Sequence, residues 1–232
     1  MASKLIDSTL LFEFAINIAK LDAKPLKTTA KKAASKLSSP IASHWQLGEA
    51  LAVEHLAALN GNKTHSDVRV AWSESGLYFQ AIVKGKKVLP RFIQPRGGFS
   101  DGLRVWIDTR CSPGIHRATR FCHCFHFFPG QPHGILDEIP RVRELPTTID
   151  SKELEVRSEF HPDGYTLWAH IPSKCLTGYS PLEFDRIRLF YDVVDQELGT
   201  QSMAIGPELR YAEDPSHWVQ ASLVSSIASN LR

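Results

Sequence analysis

A chain of 232 residues can bury a sizeable core and sits near the upper size of one all-β domain, so residues 1–232 read as a single domain. Its formal charge of +2 offers no electrostatic case for nucleic acid or a membrane surface as a partner. No stretch approaches the roughly 20 consecutive apolar residues of a membrane helix. Asp7 and Glu13 interrupt the apolar run that a secretory signal requires, so the expectation is a cytoplasmic protein.

The first element is Leu10 to Ile18, where Leu10, Phe12, Phe14, Ile16 and Ile18 alternate with Leu11, Glu13, Ala15 and Asn17. That period of two predicts a half-buried strand. Lys20 to Pro40 reads as a surface helix or an irregular crossing segment, and Trp45 to Leu59 as helix-compatible or irregular. From Asp67 the pattern is strongly β. Val68, Val70 and Trp72 alternate, Ser73-Glu74-Ser75-Gly76 supplies a turn, and Leu77 to Val83 resumes the strand, which predicts a hairpin. Lys84 to Ser100 carries Pro90, Pro95, Gly97 and Gly98 and reads as a loop.

Leu103, Val105 and Ile107 form the next alternating strand, with Arg104 and Trp106 on its other face. Phe121 to Phe128 is almost wholly apolar apart from His123 and His126, as expected of a central strand packed on both sides. A Pro/Gly-bearing loop runs from Pro129 to about Pro146. Leu154 to Phe160 and Tyr165 to Ile171 predict a second hairpin turning at His161-Pro162-Asp163-Gly164. Arg186 to Val194 and Trp218 to Leu223 are the last expected strands. Short strands separated by turn residues, with no long helix after each, predict an all-β antiparallel sandwich with minor helical or irregular segments near the N-terminus.

Three stretches, in order, resemble the family 9 carbohydrate-binding modules and their DOMON-like relatives. They are Val68-Arg-Val-Ala-Trp-Ser-Glu-Ser-Gly-Leu-Tyr-Phe79, Ser100-Asp-Gly-Leu-Arg-Val-Trp-Ile-Asp108 and Asp163-Gly-Tyr-Thr-Leu-Trp-Ala-His-Ile-Pro172. The late Arg186 to Asp195 strand and Trp218 complete a resemblance that spans about residues 45–223. It implies a jelly-roll-like β-sandwich with a sugar-binding cleft, often accompanied by structural calcium. The sequence departs from the family pattern where Arg104 and Trp168 stand at positions usually held by Glu, which inverts the hydrogen bonds on offer at Arg104. Phe99 stands where an aromatic commonly precedes the Asp of the second motif.

A sugar cleft needs flat aromatic faces and a polar rim. Trp106 and Trp168, out of phase with the core residues of their strands, are the aromatic candidates, and Arg104 and His170 share those faces. Coverage by another segment, such as Lys20 to Leu59, would make both Trp residues second-layer core instead. Trp218 is a further candidate by family analogy. Arg117, Arg120 and His123 offer a cationic rim for an anionic group or sugar hydroxyls, or else solvated loop charges.

Cys111, Cys122, Cys124 and Cys175 are too few for a disulfide scaffold and read as reduced, mostly buried thiols. Cys122, Cys124 and His126 share one strand face and form a weak alternative as zinc ligands, although their spacing is not that of a structural zinc site. Asp101, Asp108, Asp192 and Asp195 read as loop anchors, with oxygen ligation of calcium an option for one or two. No nucleotide, metalloprotease or nucleophile-elbow motif is present.

The reading is a non-catalytic module that binds a carbohydrate or another small polar ligand through Phe99, Arg104, Trp106, Arg120, His123, Trp168, His170 and Trp218. Two alternatives stand beside it: a glycoside or metal-assisted hydrolase, and an interaction domain whose aromatic face meets a protein partner.

Overall fold

The computed structural model describes residues 14–21, 46–53, 55–56, 64–93, 100–204 and 210–226. Leu10 to Glu13, most of Lys20 to Pro40, part of Trp45 to Leu59, the Gly97-Gly98 pair and Phe99 lie outside them. Eleven strands are present among the described residues: β1 Ala15–Ala19, β2 Ser66–Ser73, β3 Gly76–Lys84, β4 Gly102–Asp108, β5 Cys122–Phe127, β6 Ile135–Asp137, β7 Glu155–His161, β8 Gly164–Pro172, β9 Arg186–Asp195, β10 Gly199–Ser202 and β11 Val219–Val224. Among the described residues the helical content is confined to short 3-10 turns such as Glu49–Leu51 and Pro215–His217. No helix among the described residues is long and apolar enough to cross a membrane.

The strands form two sheets. The larger runs β1-β11-β9-β4-β5-β6, with β10 also pairing β9, and the smaller runs β2-β3-β8-β7. All neighbours are antiparallel except β1 and β11. Period-two alternation decides which side chains meet between the sheets. Leu103, Val105 and Ile107 of β4, Phe125 and Phe127 of β5, and Ile187, Leu189, Tyr191 and Val193 of β9 face one way. Val70, Leu77, Phe79, Leu167, Ala169 and Ile171 of the smaller sheet face them in one contiguous core. The chain is an all-β sandwich.

Both expected hairpins form, at Ser73–Gly76 and at His161–Gly164. β5 is central, as its nearly unbroken apolar run requires, with β4 and β6 on its two sides. Two strands carry no sequence signal. The Gly-Thr-Gln-Ser of β10 lacks apolar alternation and is extended because β9 offers it an edge, Thr200 pairing Val194 and Gln201 pairing Val193. β6 is three residues set within a loop-like stretch, and it exists by pairing with β5. The described part of Trp45 to Leu59 is one 3-10 turn followed by a bridge from Ala52 to Arg69 on β2.

His123 lies in the inter-sheet core rather than on a cationic rim, because its strand phase is that of Phe125 and Phe127. It is fully buried and stacked on Phe125 at 5.8 Å, and its Nε2 accepts a hydrogen bond from the Thr177 amide at 3.0 Å. Desolvation lowers its pKa to about 4. Between pH 6.5 and 4 the unfolded chain therefore binds a proton at His123 that the native chain does not. Stability falls as pH falls through that window, by about 3 kcal/mol at its lower end from this residue. Urea unfolding at a series of pH values should show a midpoint lower at pH 4.5 than at pH 7. His123→Gln, which keeps an acceptor but cannot titrate, should flatten that slope; an unchanged slope would remove His123 as its source.

Candidate functional site

The outer face of the larger sheet carries Arg104 and Trp106 of β4, Cys122, Cys124 and His126 of β5, and Arg188, Phe190 and Asp192 of β9. Register places Arg104 between His126 and Asp192, and Trp106 between Cys124 and Phe190. The stretch after β10 closes over part of this face. Tyr211 stacks on Phe190 at 4.2 Å and meets Trp106 edge-on at 5.2 Å. Its hydroxyl donates to Asp192 Oδ2 at 2.8 Å, and its carbonyl accepts from Trp218 Nε1 at 2.7 Å. Trp106 is consequently 2% exposed and Trp218 1%. Neither offers a face to a sugar. Both are second-layer core, and among the described residues Tyr211 packs over Trp106 and is tied to Trp218.

Arg104 stays at the open margin of this layer. Its Nε donates to Asp192 Oδ1 at 2.7 Å and its Nη2 to Asp192 Oδ2, a bidentate pair on a carboxylate with no exposure. Burial opposes the guanidinium charge, but Asp192 outweighs it and holds the Arg104 pKa above its ordinary value. The pair fixes the planar fork, and Nη1 makes no hydrogen bond among the described residues.

Beside it lies a recess lined by Ser100, Gly102, Arg104, His126, Phe128 and Val194, with room for about one water, ≈ 10 Å³. Gly102 is required there. With φ at +153°, a Cβ at this position would collide with the Phe127 carbonyl oxygen and push β4 off β5. His126 stands 3.5 Å from Asp137 Oδ2, and burial lowers its pKa to about 4, so its ring is neutral at pH 7. The rim is apolar. Phe92 packs edge-on against Phe128 at 5.0 Å, and the same loop exposes Val88, Leu89 and Ile93.

The remaining expected residues are not brought to this recess. Trp168 and His170 lie on the outer face of the smaller sheet, on the opposite side of the sandwich from Trp106, so the two Trp residues cannot line one cleft. Trp168 is half-buried beneath Arg157, whose Cζ is 5.4 Å from the ring centroid, and His170 stacks on Tyr78 at 4.5 Å. The Leu47 backbone seals the neighbouring surface, accepting from Arg69 and donating to Gln80 Oε1. Arg120 is exposed at the far end of β5, and Phe99 lies outside the described residues. Within each strand the alternating phase holds. Which two sheets the strands join is a property of topology, which phase does not encode.

The site also contains residues that the pattern did not single out. Tyr211, Phe92 and Phe128 come from loops or strand ends. Asp192 is no loop anchor: it sits within β9 opposite Arg104. A carboxylate in an otherwise apolar strand was the available signal. Asp108 does anchor a loop, accepting from the amides of Arg110 and Ser112.

Among the described residues, the carboxylates and thiols named as candidate metal ligands have other partners or surroundings. Asp101 and Asp195 are both fully buried, but Lys86 Nζ lies between them, 3.0 Å from Asp101 Oδ2 and 2.9 Å from Asp195 Oδ1. Backbone amides of Arg91 and Gln196 occupy Asp101, and those of Glu197 and Leu198 occupy Asp195. An ammonium fills the position where calcium would need six or more oxygens. On the zinc candidates, burial raises the Cys122 thiol to about 11 and the Cys124 thiol well above its ordinary value, as in core thiols. No group of three ligating side chains converges among the described residues.

Comparison with known proteins agrees with the architecture. A family 9 carbohydrate-binding module from Caldicellulosiruptor kristjanssonii, solved in complex with cellotriose, matches with a TM-score of 0.53 and 14% identity over 72% of this chain and 78% of that one. Its fold is family 9-like. The glucose complex of a family 9 module from the same organism matches at 0.52, again at 14% identity, over 72% of this chain and 80% of that one. No family model matches the sequence, and no curated protein does. The likeness is one of strand framework, at 14% identity.

The Lys86 ammonium is the counter-ion of two buried carboxylates. Lys86→Met should therefore lower stability by about 3–5 kcal/mol, because it leaves buried charge uncompensated. Urea unfolding at neutral pH checks this. The thermal midpoint of the wild-type chain should be the same in calcium and in chelator. A midpoint that drops in chelator would overturn the role given to Lys86.

Proposed function

We propose that this chain is a non-catalytic binding module whose ligand is a carbohydrate or a similar hydroxyl-rich small molecule, held at the Arg104–His126 recess. The observation that carries the reading is the fixed Arg104 fork. Asp192 locks it and Tyr211 braces Asp192, leaving N–H groups beside a recess the size of one hydroxyl. An arginine donor there suits hydroxyl or ring oxygens, while neutral His126 and Asp137 can accept. Phe92 and Phe128 supply the apolar surface against which the C–H face of a pyranose packs.

The structural neighbours were captured with cellotriose and with glucose, which supports a sugar as the first ligand class to test. The non-catalytic part rests on the state of the carboxylates. Asp101 and Asp195 are sequestered with Lys86, and Asp192 with Arg104 and Tyr211. Glycoside hydrolysis needs two carboxyl groups facing a substrate across the scissile bond, one of them free to give a proton.

Calorimetry with glucose and cellotriose, preceded by a glycan array, tests this directly. Phe92→Ala and Asp137→Asn, both at exposed or half-exposed positions, should each weaken binding by about tenfold with the fold retained by circular dichroism. Trp168→Phe, on the opposite face, should leave affinity unchanged. Loss of binding in the Trp168 variant, with the other two unaffected, would move the site to the smaller sheet. A blank array would remove the carbohydrate reading.

A further inference from the structure

Five arginines gather at the end of the sandwich away from the recess, around the loop that leads into β5. Arg117 and Arg120 lie on that loop, Arg110 at its start, and Arg141 and Arg143 on the segment alongside. Arg117 donates from Nε to the Arg141 carbonyl at 3.0 Å, and the Arg143 amide donates to the Ala118 carbonyl at 2.7 Å, so the two segments are stitched together. Arg110 and Arg120 both lie over the Phe121 ring, with Cζ to centroid distances of 5.3 and 5.0 Å. Arg110 also sits 3.8 Å from the Phe184 centroid.

None of the five has a carboxylate within ion-pair distance among the described residues, whereas Arg69, Arg104 and Arg210 are each paired. Arg117, Arg120, Arg141 and Arg143 are exposed. Like charges brought together without counter-ions repel, and the fold keeps them there. Arg141 even holds a left-handed backbone, φ +59°, under the Arg117 side chain. A Cβ on Gly178 would lie 2.7 Å from the Phe121 ring and 3.0 Å from Arg110 Nε, so that packing is tight and orients both.

We propose that this arginine cluster is a second binding surface, for the oxyanions of an acidic polysaccharide. Guanidinium forks pair bidentately with carboxylate and sulfate groups. Ring contacts and carbonyl hydrogen bonds hold three of the five in place, so little side-chain entropy is lost on binding. The chemistry selects against nucleic acid. Phe121 and Phe184 each already carry a guanidinium on the ring, and the net charge of +2 is far from that of a protein adapted to a phosphate backbone. The surface is separate from the Arg104 recess and does not depend on the ligand proposed there.

Binding of the full chain to a sulfated glycan, to its desulfated form, to polygalacturonate and to a duplex RNA, measured by surface plasmon resonance at two salt concentrations, tests it. The expected result is salt-sensitive binding to the sulfated glycan or the polyuronate, which separates sulfate from carboxylate recognition, and none to the desulfated form. The triple variant Arg117→Ser, Arg120→Ser, Arg143→Ser should lose about tenfold or more in affinity with an unchanged thermal midpoint. Phe92→Ala should leave this binding as it is. Equal binding of the triple variant, equal binding of the desulfated glycan, or preference for RNA would each overturn the proposal. If the triple variant is misfolded, the single variants Arg120→Ser and Arg143→Ser, each at an exposed side chain, carry the same test.

Discussion

Strand β9 is the element on which both layers of the molecule depend. Its two faces do different work because its side chains alternate. Ile187, Leu189, Tyr191 and Val193 enter the inter-sheet core, while Phe190 and Asp192 face outward and carry Trp106, Tyr211 and Arg104. At its end Asp195 holds Lys86, and through it Asp101 and the loop before β4. β9 also pairs β4 along one edge and shares the other between β10 and β11. A charged residue in such a strand is costly to bury unless it is fully paired. Asp192 and Asp195 are each paired with a cation, and each pairing fixes a loop or a side chain that borders the candidate site.

That arrangement shows how a family 9-like framework carries this chain's own buried ion pairs. Backbone pairing and inward apolar positions define the sandwich, and these tolerate wide sequence change if volume and alternation are kept. The outward positions are free to diverge. With Arg104 in place, a carboxylate across the strand pair becomes its partner, and Tyr211 closes over the aromatic layer that results. The ammonium of Lys86 similarly lies between two buried carboxylates, which backbone amides also serve.

The polar and apolar features of the recess follow from where loops meet strand ends. Ser100, Phe92 and Phe128 flank the start of β4 and the end of β5, and Gly102 lets those strands approach. The arginine cluster occupies the other end of β5. The two candidate surfaces therefore differ in character. One is a narrow notch with a single oriented cation, and the other is a broad set of exposed guanidiniums.

The strands that alternate strongly, the two hairpins and the central position of β5 were legible in the sequence, because a period of two and turn chemistry are local properties. So was the phase of Trp106, Trp168 and His123 within their strands. What the sequence could not show was partnership across the fold. β10 has no pattern of its own and exists by pairing with β9. Trp106 and Trp168 look equivalent along the chain and lie on opposite outer faces. His123, which resembles a rim residue beside Arg120, is in the core, and Asp192 meets Arg104 across 88 residues. Periodicity is set by neighbours along the chain and survives in the sequence alone. Burial and ion pairing are set by segments far apart in sequence, and only the tertiary structure decides which of them meet.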